Sequence, residues 1–391
     1  MKRPDSTLNL QFFNMKLFDV YPLLPINIVK AENCKIWDEN GTEYLDFYGG
    51  HAVISVGHTH PHYVKKIKDQ LDEISFYSNS VINKLQEQLA EKLGKISGYE
   101  DYDLFLCNSG AEANENAFKI ASFTAGKKKF ISFKNSFHGR TSAAVAATDD
   151  STIIAPVNES ENFIFCEWNN VHEFEKLFFE NIGDLAGVII EGIQGIAGIH
   201  VPSKDLMKKI EELCSQNSVF FIIDEVQSGY ARTGKFFAHQ YFEVKPDIIT
   251  IAKGMGNGFP IGGVLVSPKI PAKHKMLGTT FGGNHLACSA GIAVLEIIEN
   301  ENLTEYSYKK GEYLIQKLKE IPQIKKVRGK GLLIGIDCEI SVSQVSKKLR
   351  EEFKILVGSA SNPFTIRLLP PLTISYSEID YFISSLQSVL K

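Results

Sequence analysis

The chain has 391 residues, of which 44% are hydrophobic and 23% charged, and its formal net charge is -4. The length predicts two domains, the composition is typical of a globular protein, and the weak acidic charge argues against a nucleic-acid partner. No apolar run is long enough to cross a membrane, and the N-terminus lacks the apolar core of a signal peptide. Six scattered cysteines without C-x-x-C spacing indicate buried thiols, so a cytoplasmic location is expected.

The N-terminal part predicts a hairpin followed by a glycine- and histidine-rich loop. Met15 opens a better-patterned stretch, and the residues before it are expected to be a dispensable extension. Residues 35–47 contain the turn signal Asn40-Gly41 between two short apolar segments. Three histidines within residues 58–62 suggest a metal, but no further ligands are visible nearby, so no metal site is predicted. Helical patterns follow at 61–74 and 83–96.

Residues 103–266 alternate short apolar strands with amphipathic helices, which predicts an α/β fold with a mainly parallel sheet between helices. The predicted strands are 103–107, 130–133, 187–191, 219–223, 247–251 and 262–266, and the predicted helices include 111–121, 172–179 and 203–216. In such sheets ligands bind at the carboxyl ends of the strands. The chemically informative residues of this sequence cluster at those ends.

After Gly282 the pattern changes to that of a smaller α+β domain. The predicted elements are helices at 285–300, 303–320, 342–353 and 377–390, and strands at 332–337 and 365–369. We expect residues 61–276 to form a large ligand-binding domain and residues 277–391 a small domain, which the N-terminal segment 1–60 joins.

The stretch from Ile248 to Gly258 places Lys253 between an apolar β-branched run and a glycine-rich turn. Desolvation at the end of a buried strand lowers the pKa of an amine, and a neutral amine can form a Schiff base with an aldehyde. A lysine at a strand end can equally extend its ammonium group to solvent. Lys253 by itself therefore leaves both interpretations open.

Two stretches offer groups suited to a phosphate. Ser109 is a candidate N-cap, and Gly110 and Ala111 then present backbone N–H groups at the positive end of a helix. Hydroxyls and amides also precede a later helix at Thr279 and Thr280. Each stretch is also compatible with an ordinary capped helix, and no G-x-x-x-x-G-K-[ST] sequence supports a nucleotide P-loop.

Two further stretches suit an aromatic ring that carries a basic nitrogen. Phe137 lies beside a glycine and can pack flat on a ring, and the nearby Arg140 is placed for a carboxylate. Asp224 follows an apolar strand, where a carboxylate needs a cationic partner such as a pyridinium nitrogen. Val226 can pack under the same ring, and Gln227 can bond its phenolic oxygen. The alternatives are an exposed loop arginine at Arg140 and an N-capping acid at Asp224.

Arg367 is a lone arginine in an apolar strand, so it needs an anion, either a substrate carboxylate or a structural salt bridge. One ligand satisfies all of these groups together: pyridoxal 5′-phosphate, which has an aldehyde, a pyridine nitrogen and a phosphate. The sequence resembles the class III (ω-amino) aminotransferases of fold type I over nearly its whole length. The resemblance rests on the stretches CNSGAEANENAFKIA, SFHGRT, IIDEVQSGYARTGK, ITIAKGMGNGFPIGG, GTTFGGNHLACSA and IRLLPPL.

The resemblance implies a role for each residue of the site. Lys253 would carry the Schiff base and transfer protons, and Asp224 would pair with the pyridine nitrogen. The other cofactor contacts would be Ser109, Gly110, Ala111, Phe137, Val226 and Gln227, with Thr280 from the neighbouring subunit of a homodimer. Arg140 would bind the α-carboxylate of an acylornithine and Arg367 that of glutamate or 2-oxoglutarate, and Thr279, Glu191 and His51 would lie near the substrate.

The implied reaction moves the ω-amino group of N-acetyl- or N-succinylornithine to 2-oxoglutarate, as in arginine biosynthesis. Ornithine, γ-aminobutyrate or an acylated lysine are alternative donors, and an aminomutase or racemase is an alternative reaction. A nicotinamide-dependent dehydrogenase is disfavoured, because the glycines after Lys253 lack G-x-G-x-x-G spacing. A non-catalytic protein is disfavoured by the presence of both Lys253 and Asp224.

The sequence departs from the family at two positions. Relatives commonly carry a glutamate where this chain has Ile196, and that glutamate often pairs with the arginine at Arg367. Either another acid covers Arg367 here, or its charge stays open to a substrate carboxylate. His51 also stands where relatives often carry an apolar residue or a tyrosine. We hypothesise that these changes accommodate a donor with an added carboxylate, such as succinylornithine.

Overall fold

The computed structural model describes residues 16–391, so the predicted extension before Met15 lies outside the described residues. The strands are β1 (Ile28–Glu32), β2 (Lys35–Asp38), β3 (Glu43–Asp46), β4 (Asp103–Cys107), β5 (Lys129–Phe133), β6 (Phe163–Cys166), β7 (Leu185–Glu191), β8 (Phe220–Asp224), β9 (Ile248–Ile251), β10 (Gly262–Val266), β11 (Ile324–Lys330), β12 (Leu333–Cys338), β13 (Ile355–Leu356), β14 (Gly358–Ser359) and β15 (Thr365–Leu368).

The helices are α1 (Gly49–Ala52), α2 (Pro61–Glu73), α3 (Lys84–Ser97), α4 (Gly110–Ala125), α5 (Ser142–Ala146), α6 (Val171–Asn181), α7 (Lys204–Gln216), α8 (His285–Asn300), α9 (Leu303–Lys319), α10 (Val342–Phe353) and α11 (Tyr376–Leu390). Short 3-10 turns lie at Ser151–Ile153, Pro156–Asn158, Ala238–Tyr241 and Lys253–Met255. In the single turn α1, Gly50 and His51 have φ values of 54° and 65°, so this turn is left-handed.

A seven-stranded sheet with the order β4-β10-β9-β8-β7-β5-β6 forms the centre of the molecule. Strand β10 runs antiparallel to both of its neighbours, and the other neighbouring pairs are parallel. Successive residues of the strands face opposite sides. On β8, Phe221 and Ile223 join the apolar core that contains α7, and Ile222 joins the one that contains α4. The sheet therefore lies between helical layers, which confirms the predicted α/β fold.

The end of the chain packs beside its beginning. Strands β11, β12, β15 and β14 form an antiparallel sheet, and β13 pairs in parallel with β3 beside β2 and β1. The rings of Phe47 and Phe382 stack with their centroids 4.2 Å apart. Helices α2 and α3 both pack against α8. No helix in residues 16–391 has the length and apolar character needed to span a bilayer.

The predicted strands of the central sheet agree with the structure to within two residues, but β6 was missed and β10 is antiparallel. Strand β6 is a four-residue edge strand with little pattern to detect. Only residues 252–261 connect β9 to β10, which is too short for the usual parallel crossover. The edge strands β1 and β11 were also missed, because both lack clear apolar alternation and form by pairing with β2 and β12.

Candidate active site

A cavity of about 630 Å³ opens at the carboxyl ends of the parallel strands of the central sheet. Most of the predicted site residues line it: His51, Ser109, Gly110, Ala111, Phe137, Arg140, Glu191, Asp224, Val226, Gln227 and Lys253. They come from six segments of the chain. Five of these segments lie at the ends of β4, β5, β7, β8 and β9, which the order of the central sheet brings to one edge, and the sixth carries His51. The alternation of strands and helices had predicted this convergence.

Lys253 follows β9 and has a φ of 47°. This left-handed conformation is uncommon for a lysine and is held by the surrounding turn, in which Ser55 Oγ donates a hydrogen bond to Gly254 O at 2.7 Å. Burial lowers the pKa of the Lys253 amine, and the charge of Arg367 lowers it further. Asp224 and Glu191 oppose this shift. The amine therefore loses its proton more readily than a surface lysine.

Asp224 ends β8, the strand next to β9 in the sheet, and is 5% exposed. Burial alone raises its pKa, but hydrogen bonds outweigh burial and the net shift is downward. His138 Nδ1 and Asn114 Nδ2 each lie 2.8 Å from Oδ2, and the Val226 amide donates to Oδ1 at 2.9 Å. The carboxylate is therefore held ionised, ready to pair with a ring cation.

Helix α4 begins at the cavity with Ser109 as its N-cap, whose Oγ accepts a hydrogen bond from the Glu112 amide at 3.2 Å. The amides of Gly110 and Ala111 lie in the first turn, where no intrahelical acceptor exists for them. A Cβ atom on Gly110 would lie 2.6 Å from Val226 Cγ1. Glycine is therefore required for the helix end to approach Val226, and it leaves the amides free for an anion.

Phe137 and Val226 both line the cavity, and Glu191 fixes the backbone of Phe137. Glu191 Oε1 accepts a hydrogen bond from the Phe137 amide at 3.1 Å, and Oε2 accepts one from the Gly195 amide at 2.8 Å. Burial raises the pKa of Glu191 to about 7, and nearby Asp224 adds to this rise. His138 and the two amides act in the opposite direction.

Arg140 and Arg367 are two arginines at the site that have no acid partner among residues 16–391. Among residues 16–391 the arginine ion pairs are those of Arg328 with Asp337 and Arg350 with Glu351. Arg140 is exposed at the cavity, whereas Arg367 is 3% exposed and uses Nε to donate to Ser359 O at 2.5 Å. Its Nη1 donates to Gln227 Oε1 at 3.4 Å. The sequence left two alternatives for the absence of a glutamate at Ile196: another acid pairs with Arg367, or the charge of Arg367 stays open to a substrate carboxylate. The structure supports the second.

Gln227 makes contacts that the sequence did not predict. Besides accepting from Arg367, its side chain donates from Nε2 to the carbonyl of His51 at 3.2 Å. His51 is exposed, and its ring contacts the Tyr48 hydroxyl with Nε2 at 2.6 Å. Partial burial and the charges of Arg367 and Lys253 lower the pKa of His51. Gln227 thus links the left-handed turn α1 to the buried arginine.

Thr279 and Thr280 do not line this cavity. Thr279 Oγ1 accepts a hydrogen bond from the Gly282 amide at 3.0 Å, and Thr280 is exposed. The next residue, Phe281, is 60% exposed, and its ring lies 5.4 Å from that of Phe76, which is also exposed. The segment that carries both threonines therefore faces outward from this chain.

The neighbouring histidines of the glycine-rich loop bond to three different carboxylates. His58 pairs with Asp46, His60 with Glu301 and His62 with Glu296. Within residues 16–391 no group of three or more potential ligands could hold a metal ion.

The sequence analysis missed several residues of the site. Asn114 lies one helical turn after Gly110 and bonds both Asp224 and the carbonyl of His138, so its helical spacing was an available signal. His138 lies in the stretch SFHGRT, but no role was predicted for it; its Nε2 is buried and has no hydrogen-bond partner among residues 16–391. Tyr21 reaches the cavity from the irregular segment that precedes β1, and no sequence pattern marked it.

These features fit pyridoxal 5′-phosphate. The free helix amides beside Gly110 suit its phosphate, the low-pKa carboxylate of Asp224 suits its ring nitrogen, and Phe137 and Val226 suit the faces of its ring. Lys253 supplies the amine that would attach to its aldehyde. An α/β fold with such a site is that of a pyridoxal-phosphate enzyme.

Comparisons with known proteins identify the family. The aminotransferase class-III family matches residues 19–390. The acetylornithine aminotransferase of Bacillus subtilis is 40% identical over 383 residues, which cover 96% of this chain and 97% of that protein. The solved ornithine aminotransferase of Toxoplasma gondii superimposes with a TM-score of 0.89 at 28% identity, covering 96% of this chain and 92% of that one.

A third relative was solved with the cofactor. The taurine:2-oxoglutarate aminotransferase of Bifidobacterium kashiwanohense, in complex with PLP and glutamate, has a TM-score of 0.89 at 26% identity. The match covers 96% of this chain and 94% of that one. The chain belongs to the class-III aminotransferases, as its sequence motifs predicted. It is a transaminase, and its cofactor is pyridoxal 5′-phosphate.

Proposed function

We propose that this chain transfers the ω-amino group of an N-acylornithine to 2-oxoglutarate, yielding the N-acyl glutamate semialdehyde and glutamate. The observation that carries the proposal is the presence of two arginines, Arg140 at the cavity and Arg367 beside it, that form no ion pair within the described part of the chain. One carboxylate of the donor and one of the acceptor would neutralise them. The acetyl group is the expected acyl group, because the Bacillus subtilis relative is an acetylornithine aminotransferase. A cytoplasmic role in arginine biosynthesis is part of the proposal.

Lys253 and Asp224 have defined tasks in this reaction. When bound, the cofactor supplies an aldehyde that takes up the amino group and a ring that withdraws electrons from the reacting carbon. Lys253, whose pKa burial lowers, accepts and returns a proton as base and acid. Asp224 stays ionised through its bonds to His138 and Asn114, which keeps a ring nitrogen protonated.

We also propose a homodimer in which Thr280 completes the site of the partner subunit. Thr280 is exposed and lies outside the cavity of its own chain. Large apolar side chains are exposed near it and along the N-terminal segment, including Phe281, Phe76, Leu17, Phe18 and Leu23. Exposed apolar side chains of this size are typical of a subunit interface.

A substrate panel tests the donor. Purified holoenzyme would be assayed with N-acetylornithine, N-succinylornithine, ornithine and γ-aminobutyrate, each with 2-oxoglutarate, and kcat/KM compared. A preference for an acylated ornithine supports the proposal. Equal or better turnover of the other two amines would refute it. Ornithine is the second candidate, because the Toxoplasma gondii ornithine aminotransferase shares the fold at a TM-score of 0.89.

The same assay with Ile196→Glu tests the hypothesis of a donor with an added carboxylate. Ile196 lines the cavity near Arg367, so a glutamate there would pair with the arginine and compete with substrate carboxylates. We expect the variant to lose activity on N-succinylornithine more than on N-acetylornithine. A clear wild-type preference for N-acetylornithine that Ile196→Glu leaves unchanged would contradict the hypothesis.

A further inference from the structure

Glu191 bridges two loops of the active site with one carboxylate. It ends β7, is 7% exposed and lines the cavity. Its Oε1 accepts from the Phe137 amide at 3.1 Å and its Oε2 from the Gly195 amide at 2.8 Å. Each loop therefore uses a different oxygen. A glutamine at this position has only one acceptor atom, and its NH₂ group would face a backbone N–H.

The loop at residues 192–198 continues from Gly195 toward the buried arginine. A Cβ atom on Gly195 would lie 2.0 Å from Gln227 Oε1, the oxygen that accepts from Arg367. The Ile196 carbonyl accepts from the Ser361 amide at 2.9 Å. Ser361 lies two residues after Ser359, whose carbonyl accepts from Arg367 Nε. The position of this loop thus controls what surrounds the Arg367 guanidinium.

Ionisable groups from several elements surround Glu191. The groups whose charges act on it, or on which its charge acts, are Asp224, His138, Lys253 and Arg367. Arg140 and His51 line the same cavity, and Glu225 lies behind Gly192, where a Cβ atom would come within 2.8 Å of Glu225 Oε1. Burial outweighs the favourable contacts and raises the pKa of Glu191 to about 7. Glu191 therefore changes its charge near neutral pH.

We propose that Glu191 is a positioning residue: its ionised carboxylate holds the Phe137 loop and the 192–198 loop together, and so shapes the carboxylate subsite at Arg367. Protonation of Oε2 places a hydrogen opposite the Gly195 amide, which weakens that hydrogen bond and loosens the 192–198 loop. Because the Gly195 loop borders Arg367, the half-reaction with a dicarboxylate acceptor depends on the ionised form. The inference rests on the proposed function for the identity of that acceptor. Glu191 itself needs no contact with the reacting atoms.

The first test is the pH profile of the acceptor half-reaction, with 2-oxoglutarate added to holoenzyme already converted to its amine form. For the wild type we expect kcat/KM to fall roughly tenfold from about pH 8 to about pH 6, mainly through KM, because a group with a pKa near 7 loses its charge there. Glu191→Gln should show a flat profile at the low level. Glu191→Asp should keep an acid limb. An unchanged acid limb in Glu191→Gln would overturn the proposal.

His51→Gln is the matched comparison, because His51 is a second titratable group in the cavity. Partial burial and the charges of Arg367 and Lys253 lower the pKa of His51, whereas burial raises that of Glu191, so the two groups shift in opposite directions. We expect His51→Gln to retain the acid limb whatever its overall activity. If the limb disappears in His51→Gln and persists in Glu191→Gln, the titrating group is His51 and the proposal is wrong.

A second test measures the hydrogen-exchange protection of the 192–198 loop and does not involve catalysis. Hydrogen exchange of peptides that span residues 192–198 would be measured in the holoenzyme and corrected for the intrinsic effect of pH. Protection should decrease below about pH 7 in the wild type and be low at all pH values in Glu191→Gln. Protection that is independent of pH in the wild type would overturn the proposal. This measurement uses the wild type alone, so it does not depend on whether a variant folds. Because no donor is present, failure of the proposed donor would leave this result intact.

Discussion

The residues around Lys253 in the folded protein set the pKa of its amine, more than its position in the sequence does. Burial lowers its pKa, while Asp224 on the neighbouring strand and Glu191 limit the shift. A positive φ of 47° aims the side chain into the cavity from a turn that few lysines could adopt without support. The sequence indicated a lysine that ends a buried strand. The structure adds the charges that set its proton affinity.

Replacing Lys253 by alanine should abolish covalent attachment of the cofactor and reduce turnover by roughly a thousandfold or more, because both the attaching amine and the proton-transfer group are lost. Borohydride reduction followed by mass spectrometry would show the cofactor mass on the wild type only. Lys128→Ala is the control, since its side chain is 66% exposed on the surface. Wild-type turnover in Lys253→Ala would refute the assignment of this lysine.

Glu191 should make stability depend on pH in a defined direction. Its pKa rises from 4.5 to about 7 on folding, so the folded protein binds a proton that the unfolded chain releases within this window. The contribution of Glu191 to stability is therefore greatest below pH 4.5 and is lost as pH rises through 7, by roughly 3 kcal/mol.

Denaturant unfolding of wild type and Glu191→Gln at several pH values measures this effect. The difference in unfolding free energy should shift in favour of the variant by roughly that amount between pH 4.5 and values above 7. The pH dependence isolates the ionisation from the constant loss of one hydrogen bond. A difference that does not change with pH would show that Glu191 ionises normally in the folded protein.

Among the elements, α4 has the largest share in building the site. Its N-terminus presents free amides, its first turn packs against Val226, and Asn114 on its second turn holds Asp224. Glu115 of the same helix accepts hydrogen bonds from the Ala143 and Ala144 amides at the start of α5, which positions the loop that carries Arg140. One helix thereby connects the sites proposed for the phosphate, the ring nitrogen and the substrate.

Substituting Gly110 by alanine should weaken cofactor binding at least tenfold, because its Cβ would meet Val226 Cγ1 at 2.6 Å and push the helix end away from the phosphate. Titration of apoprotein with pyridoxal 5′-phosphate measures the change in Kd. Gly183→Ala is the matched control, since within residues 16–391 its added Cβ would have no atom within 4 Å apart from its chain neighbours. Similar affinity of both variants for pyridoxal 5′-phosphate would contradict the proposal that the helix end at Gly110 binds the phosphate.

At the scale of the whole molecule, we propose a homodimer and a division of each chain into residues 1–60, 61–276 and 277–391. Pairing of β3 with β13 and stacking of Phe47 on Phe382 support the proposal that the N-terminal segment joins the small domain. The packing of α8 against α2 and α3 ties the small domain to the large one. The exposed Phe76 and Phe281 mark the surface on which we expect the partner subunit.

A mixture of two inactive variants tests the shared site. Lys253→Ala lacks the amine, and Thr280→Glu should repel the phosphate in the partner's site. Refolding an equal mixture should restore about a quarter of the wild-type activity, because half of the dimers are mixed and each has one site with both residues intact. Sites formed within one chain would show no recovery. Light scattering should give twice the chain mass of 43.6 kDa.

The sequence by itself determined the fold class, the cofactor and the set of residues at the strand ends. Ser109, Phe137 and Lys253 each follow an apolar strand and Asp224 ends one. Parallel strands bring their carboxyl ends to one edge, so local patterns were sufficient to place these four residues together. The antiparallel direction of β10 and the edge strands β1, β6 and β11 were not predicted. They depend on the strands with which these segments pair and not on the pattern of their own residues.

Only the tertiary structure decided how these residues act on one another. The bond from His138 to Asp224, the bond from the Phe137 amide to Glu191 and the open charge of Arg367 could not be derived from local patterns. The first joins residues 86 positions apart, and the surroundings of Arg367 combine segments separated by 140 positions. Periodicity reports the burial of a residue in its own element, whereas contacts and pKa values depend on which distant segments fold against it.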